Sequence, residues 1–73
     1  MSLKNQRYRE VIKILTKHFG FTVVRTKGSH IILAHPDDGR HAIVPAYDPI
    51  KLGTMRSILA QAGISEEEFL KHL

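Results

Sequence analysis

The chain contains no cysteine, which excludes a disulfide framework and a thiolate zinc site as supports for so small a fold. No apolar run approaches the roughly 20 residues that a membrane span requires, and the first residues lack the continuous apolar core of a secretory signal. There is no internal repeat, no low-complexity tract and no linker long enough to separate two domains. Acidic residues are the minority, 7 Asp plus Glu against 11 Lys plus Arg, for a formal charge of +4. That excess favours an anionic partner, nucleic acid foremost. Neither a glycine-rich nucleotide loop of the usual spacing nor an aromatic pair suited to stacking bases accompanies it. The expectation is one cytoplasmic domain over residues 1–73 held by packing alone, because a chain of this size buries only about 60% of its unfolded surface and cannot supply two cores.

What is present falls into periodic segments. Tyr8, Val11, Ile12, Leu15 and Phe19 recur at the spacing of one helical stripe, which predicts a helix from Asn5 to His18 with Gly20 as its stop. Phe21 to Thr26 is rich in β-branched residues and reads as a first strand, and Ser29 to His35 reads as a second. Pro36-Asp37-Asp38-Gly39 carries turn chemistry into a third strand, Arg40 to Val44, which Pro45 ends because it has no N–H to give. After the loop Ala46 to Lys51, the stripe Leu52, Met55, Ile58, Leu59 and Ala62 marks a second helix, begun near Gly53-Thr54 and closed by Gly63. Ser65-Glu66-Glu67-Glu68 is a capping box for a short final helix. Met1-Ser2-Leu3 is given no weight. The order predicts an α+β domain in two layers: a three-stranded antiparallel sheet, helices on one face, the other face at least partly open.

The densest chemistry lies in Arg25-Thr26-Lys27-Gly28-Ser29-His30. Two cations precede a glycine, and an imidazole follows it, so a proton-transfer group stands within a phosphate-attracting surface. Imidazole can take a proton from a ribose 2′-hydroxyl, assistance typically worth about 10² to 10⁴ in rate; the plainer alternative is a strand histidine that only hydrogen-bonds its surroundings. Alternation puts His30 with Ile32 and Ala34 on one face of the second strand and Ile31 with Leu33 on the other. Gly28 and Ser29 would shape the turn and offer amides to a phosphate oxygen. Ser29 lacks the strand-to-helix elbow and acid partner of a serine hydrolase.

Lys51 and Arg56, with Arg40, are candidates to hold phosphates without reading bases. Tyr47 is suited to stacking on a base or to covering the core. His35 and His41 flank the hairpin turn and would face one another across the strands, but two histidines without a third ligand do not make a metal site. Asp37 and Asp38 read as turn formers, and His18 and His72 sit near helix C-terminal ends, where partial positive charge is favourable. No metal and no cofactor are expected.

Taken together, these residues resemble the HicA toxin family of toxin–antitoxin systems. The likeness runs from Glu10-Val11-Ile12 through Gly20-Phe21, the Arg25 to His30 element, His35-Pro36 and Val44-Pro45 to Gly53-Thr54-Met55-Arg56-Ser57-Ile58-Leu59 and Gln61-Ala62-Gly63-Ile64-Ser65. It implies a double-stranded-RNA-binding-like α-β-β-β-α fold and cleavage of mRNA that arrests translation. It further implies a catalytic histidine at His30, metal-independent chemistry, and a HicB antitoxin that neutralises the toxin by covering the site. On that reading Arg25, Lys27, Lys51 and Arg56 hold RNA while Gly28 and Ser29 shape the site. Two other classes compete. A non-catalytic RNA-binding module of the same fold calls for a dense Lys/Arg cluster at the start of the second helix, where only Lys51 and Arg56 stand. A protein-interaction adaptor would leave the charge incidental.

Overall fold

Alternation in the strands decides how the molecule is layered. In the computed structural model, which describes residues 2–73, the chain runs α1 (Tyr8–His18), β1 (Thr22–Lys27), β2 (His30–Ala34), β3 (His41–Pro45), α2 (Leu52–Ala62) and α3 (Glu66–Leu70). The strands form one antiparallel sheet in the order β1-β2-β3. Leu33 of β2 and Ala42 and Val44 of β3 turn inward and are fully buried. Against them pack Val11, Ile14 and Leu15 of α1, Met55, Ile58, Leu59 and Ala62 of α2, and Phe69 of α3. The helices therefore cover one face, and His30, Ile32 and Ile43 stand on the other, the α+β arrangement expected from the order of segments. No helix among the described residues is long and apolar enough to cross a membrane.

Helix α1 starts at Tyr8, with its apolar stripe, and three residues later than the expected start at Asn5. Asn5 adopts a left-handed backbone, φ 60°, which no helix continues through. Gln6 instead bridges to Ile50, whose N–H donates to the Gln6 carbonyl at 2.8 Å. The helix lacks a local side-chain cap; Asp48, forty residues away, accepts from the Tyr8 N–H at 2.8 Å and lies 3.6 Å from Arg7. A carboxylate at the positive end of a helix dipole also gains electrostatically. Asp48→Ala should accordingly cost about 1–2 kcal/mol of stability in urea unfolding, and an unchanged midpoint would show that water caps α1 equally well.

Other boundaries and pairings differ in instructive ways. Leu3, given no weight from sequence, is 4% exposed and belongs to the core; Met1 lies outside the described residues. Pro45 is the last residue of β3 and not the one after it, because β3 is a sheet edge and the missing N–H faces away from β2. His35 and His41 do not face one another. His41 pairs with Ala34 and points to the open face, whereas His35 exchanges backbone hydrogen bonds with the turn and sets its ring edge-on to Phe21 at 5.4 Å. One position of offset in a strand reverses the face.

The C-terminal elements follow their sequence signals. Gly63 ends α2 in the left-handed region, φ 69°, where a Cβ would also press on the Arg40 guanidinium at 3.2 Å. Glu68 N–H donates to Ser65 Oγ at 3.1 Å and Ser65 N–H donates to Glu68 Oε1 at 3.4 Å, the reciprocal capping box. Beyond α3 the His72 ring stacks on His18 with centroids 4.1 Å apart, a contact that no periodicity announces. Loss of water from the His18 ring, then repulsion from His72, lowers the His18 pKa.

Candidate functional site

The turn between β1 and β2 builds the site. Lys27 and His30 are directly paired, leaving a two-residue hairpin connection of Gly28 and Ser29. Gly28 has φ 59°, the positive value that the first central position of a II′ turn requires and that matches the twist of the flanking strands. The Ser29 carbonyl then accepts from Ala46 N–H at 2.6 Å, tying the turn to the loop after β3. That bond draws Tyr47 to the side of His30.

Directly paired residues of antiparallel strands share a face. Lys27, His30 and Pro45 form one such row, and Arg25, Ile32 and Ile43 form the next. Arg25, Lys27 and His30 thus lie together on the open face, and all three are exposed. The extra residue Val24 makes a bulge that brings Arg25 opposite Ile32 and not Ile31, so that Arg25 and Lys27 fall on the open face. Lys51 is exposed at the N-cap of α2.

On the other side of His30 a cleft of about 370 Å³ opens between β3 and α2. His30, Pro45 and Tyr47 form one wall; Thr54, Ser57 and Gln61 form the other, with Ile43 and Ile58 between them. Gln61 is held in place because its Oε1 accepts from Ile43 N–H at 3.0 Å, the amide that β3 turns outward at the sheet edge. Thr54, Ser57 and Gln61 were absent from the candidates drawn from sequence. Their spacing at i, i+3 and i+7 beside the buried stripe of α2 is the signal that could have found them.

Two expected phosphate contacts are not brought to this place. Arg56 lies on the far side of α2, its Nε 3.0 Å from Glu66 Oε1, beside a second cavity lined by Leu3 and Leu70. Four positions along a helix from Leu52 and one before Ser57, it must turn away from a cleft that Ser57 lines. Arg40 is likewise engaged: its Nε holds Asp38 at 2.9 Å, its Nη1 donates to the Ala62 carbonyl at 2.7 Å, and it depresses the Asp38 pKa. Among the described residues Arg25, Lys27 and Lys51 have no acidic partner, while Arg7, Arg40 and Arg56 are paired. The unneutralised positive charge of the sheet therefore sits beside His30. No three His, Asp or Glu side chains among the described residues converge as metal ligands.

An exposed imidazole flanked by free cations on one side and a polar-walled cleft on the other can bind a phosphodiester and exchange a proton with a hydroxyl beside it. The sequence profile described as HicA toxin of bacterial toxin-antitoxin matches residues 8–64, which include every strand, α1 and α2. No curated protein matches the chain.

Proposed function

The chain belongs to the HicA toxin family and is the toxin partner of an antitoxin, and from this we propose that it is a cytoplasmic endoribonuclease that cleaves mRNA, with His30 as its acid/base group. What supports the reading above all is the exposed His30 ring, directly across from Lys27 in one strand and at the mouth of the cleft in the other direction. Lys27 and Arg25 attract the phosphate, and Lys51 extends the basic surface. The neutral imidazole accepts the ribose 2′-hydroxyl proton, the 2′-oxygen attacks the adjacent phosphorus in line, and the bond to the 5′-oxygen breaks. That oxygen takes up a proton from water as it leaves and becomes the 5′-hydroxyl of the downstream fragment, while the upstream fragment ends in a 2′,3′-cyclic phosphate. Donors preset around the phosphate act at the developing charge; the amides at Gly28 and Ser29 are suited to that role. A HicB antitoxin would silence the toxin by covering this face, where Ile32 and Ile43 add apolar surface to the basic rim.

Induction of the chain in growing bacteria should stop growth and break a reporter mRNA into fragments with cyclic-phosphate ends, and simultaneous production of a HicB-like antitoxin should restore both. Arrested growth with intact mRNA would retain the toxin and remove the ribonuclease.

A further inference from the structure

We propose that the cleft between β3 and α2 is a nucleobase subsite, which receives one base beside the scissile phosphate. The proposal rests on RNA being the substrate and deepens that reading from phosphate attraction to base binding.

Geometry comes first. His30 has Lys27 one strand away on one side and Pro45 one strand away on the other, and strands lie about 4.8 Å apart. A nucleotide whose phosphate meets Lys27 and His30 must send its sugar and base to one side or the other, and the cleft lies on the Pro45 side. Its volume of about 370 Å³ is at the small end of ligand cavities, which run about 300–1,000 Å³. That suits a single nucleotide and excludes a duplex, whose paired bases cannot enter a side cavity.

The lining has the composition of a base site. Tyr47, 41% exposed, offers a flat aromatic surface, with Pro45 and Ile58 buried behind it. Base–aromatic stacking is worth about 1–3 kcal/mol per base and does not depend on which base it is. The polar wall adds hydrogen bonds to the edge of the base. The Thr54 and Ser57 hydroxyls and the Gln61 Nε2 have no protein hydrogen-bond partner among the described residues, whereas Gln61 Oε1 is already committed to Ile43 N–H. The bond from Ile43 fixes the amide so that Gln61 Nε2 is turned away from the backbone as a free donor. Carbonyl oxygens of uracil, cytosine and guanine and the ring nitrogens of adenine all complement such a donor.

The bond from Ile43 makes a sharp test possible. Gln61→Glu keeps an acceptor for Ile43 N–H and replaces the free donor by an anionic oxygen. Amide resonances of the folded protein are followed by NMR during titration with the 3′-monophosphates of uridine, cytidine, guanosine and adenosine, and with inorganic phosphate. In the wild type, Ile43, Ser57 and Gln61 should shift with all four nucleotides and not with inorganic phosphate, and Gln61→Glu should weaken the four about three- to tenfold relative to inorganic phosphate. Tyr47→Ala should weaken all four by about fivefold or more. Equal weakening of inorganic phosphate by Gln61→Glu would reduce its effect to charge repulsion of the phosphate and overturn the contact of Gln61 with the base. Shifts confined to Lys27 and His30 would overturn the subsite and leave phosphate binding in place. Cleft shifts in a protein that cleaves no RNA would keep the subsite and remove the ribonuclease.

Discussion

A folded His30→Ala protein should cleave RNA about 10²- to 10⁴-fold more slowly than the wild type, the usual contribution of one acid/base group. The side chain is well suited to such a substitution. It is exposed and makes no side-chain hydrogen bond among the described residues, so the ladder to Lys27 and Pro45 survives its removal. Surface changes of this kind usually alter stability by no more than about 0.5 kcal/mol. Lys27 and Arg25 remain in place, so RNA affinity should change far less than rate. Single-turnover cleavage of an end-labelled RNA separates the two, with circular dichroism to establish that the variant folds. Equal rates for the two proteins would remove His30 from the chemistry and leave cleavage to another group, whereas no cleavage by either would shift the reading toward an RNA-binding module.

The parts of the fold set by local signals were legible in the sequence, and those set by distant contacts were not. Face alternation in Ile31 to Ala34 correctly separated His30 from Leu33, because a strand has only two faces and one of them must be buried. The Pro36 to Gly39 turn and the Ser65 capping box were equally plain, since each is complete within a few residues. By contrast, the start of α1 depends on Asp48 and Ile50, which lie forty or more residues downstream. No local pattern reports such a cap.

The candidate site divides in the same way. Arg25, Lys27, Gly28, Ser29 and His30 come together because one hairpin carries them all. Lys51 and Arg56 were grouped with them by charge alone, yet charge in a sequence has no direction. Glu66 takes up Arg56 across the α2–α3 connection and Asp38 takes up Arg40 within the hairpin turn, so the net excess of cations says less about the site than which of them remain unpaired. The cleft wall of Thr54, Ser57 and Gln61 needed the packing of α2 on β3 before its polar spacing acquired a meaning.

Phe69→Ala should lower stability by about 3–5 kcal/mol, the range for removing a buried aromatic ring. The expectation tests where the folding unit ends. Residues 8–64 carry the family likeness, but Leu3 before them is 4% exposed and Phe69 after them is 0% exposed, and both join the one core. Helix α3 has only five residues and cannot hold itself together; its capping box fixes its start, and the burial of Phe69 fixes it to the rest. At about 0.05–0.15 kcal/mol per residue, a domain of 73 residues has roughly 4–11 kcal/mol in total, so losing the ring removes a large share. Growth inhibition by Phe69→Ala should therefore fall with the amount of folded protein, whereas His30→Ala should lose activity at full folded yield. Urea unfolding of the purified variant gives the answer directly. A loss under about 1 kcal/mol, well below the usual cost of such a cavity, would make α3 an appendage and leave the elements from α1 to α2 sufficient to hold His30 and the cleft in place.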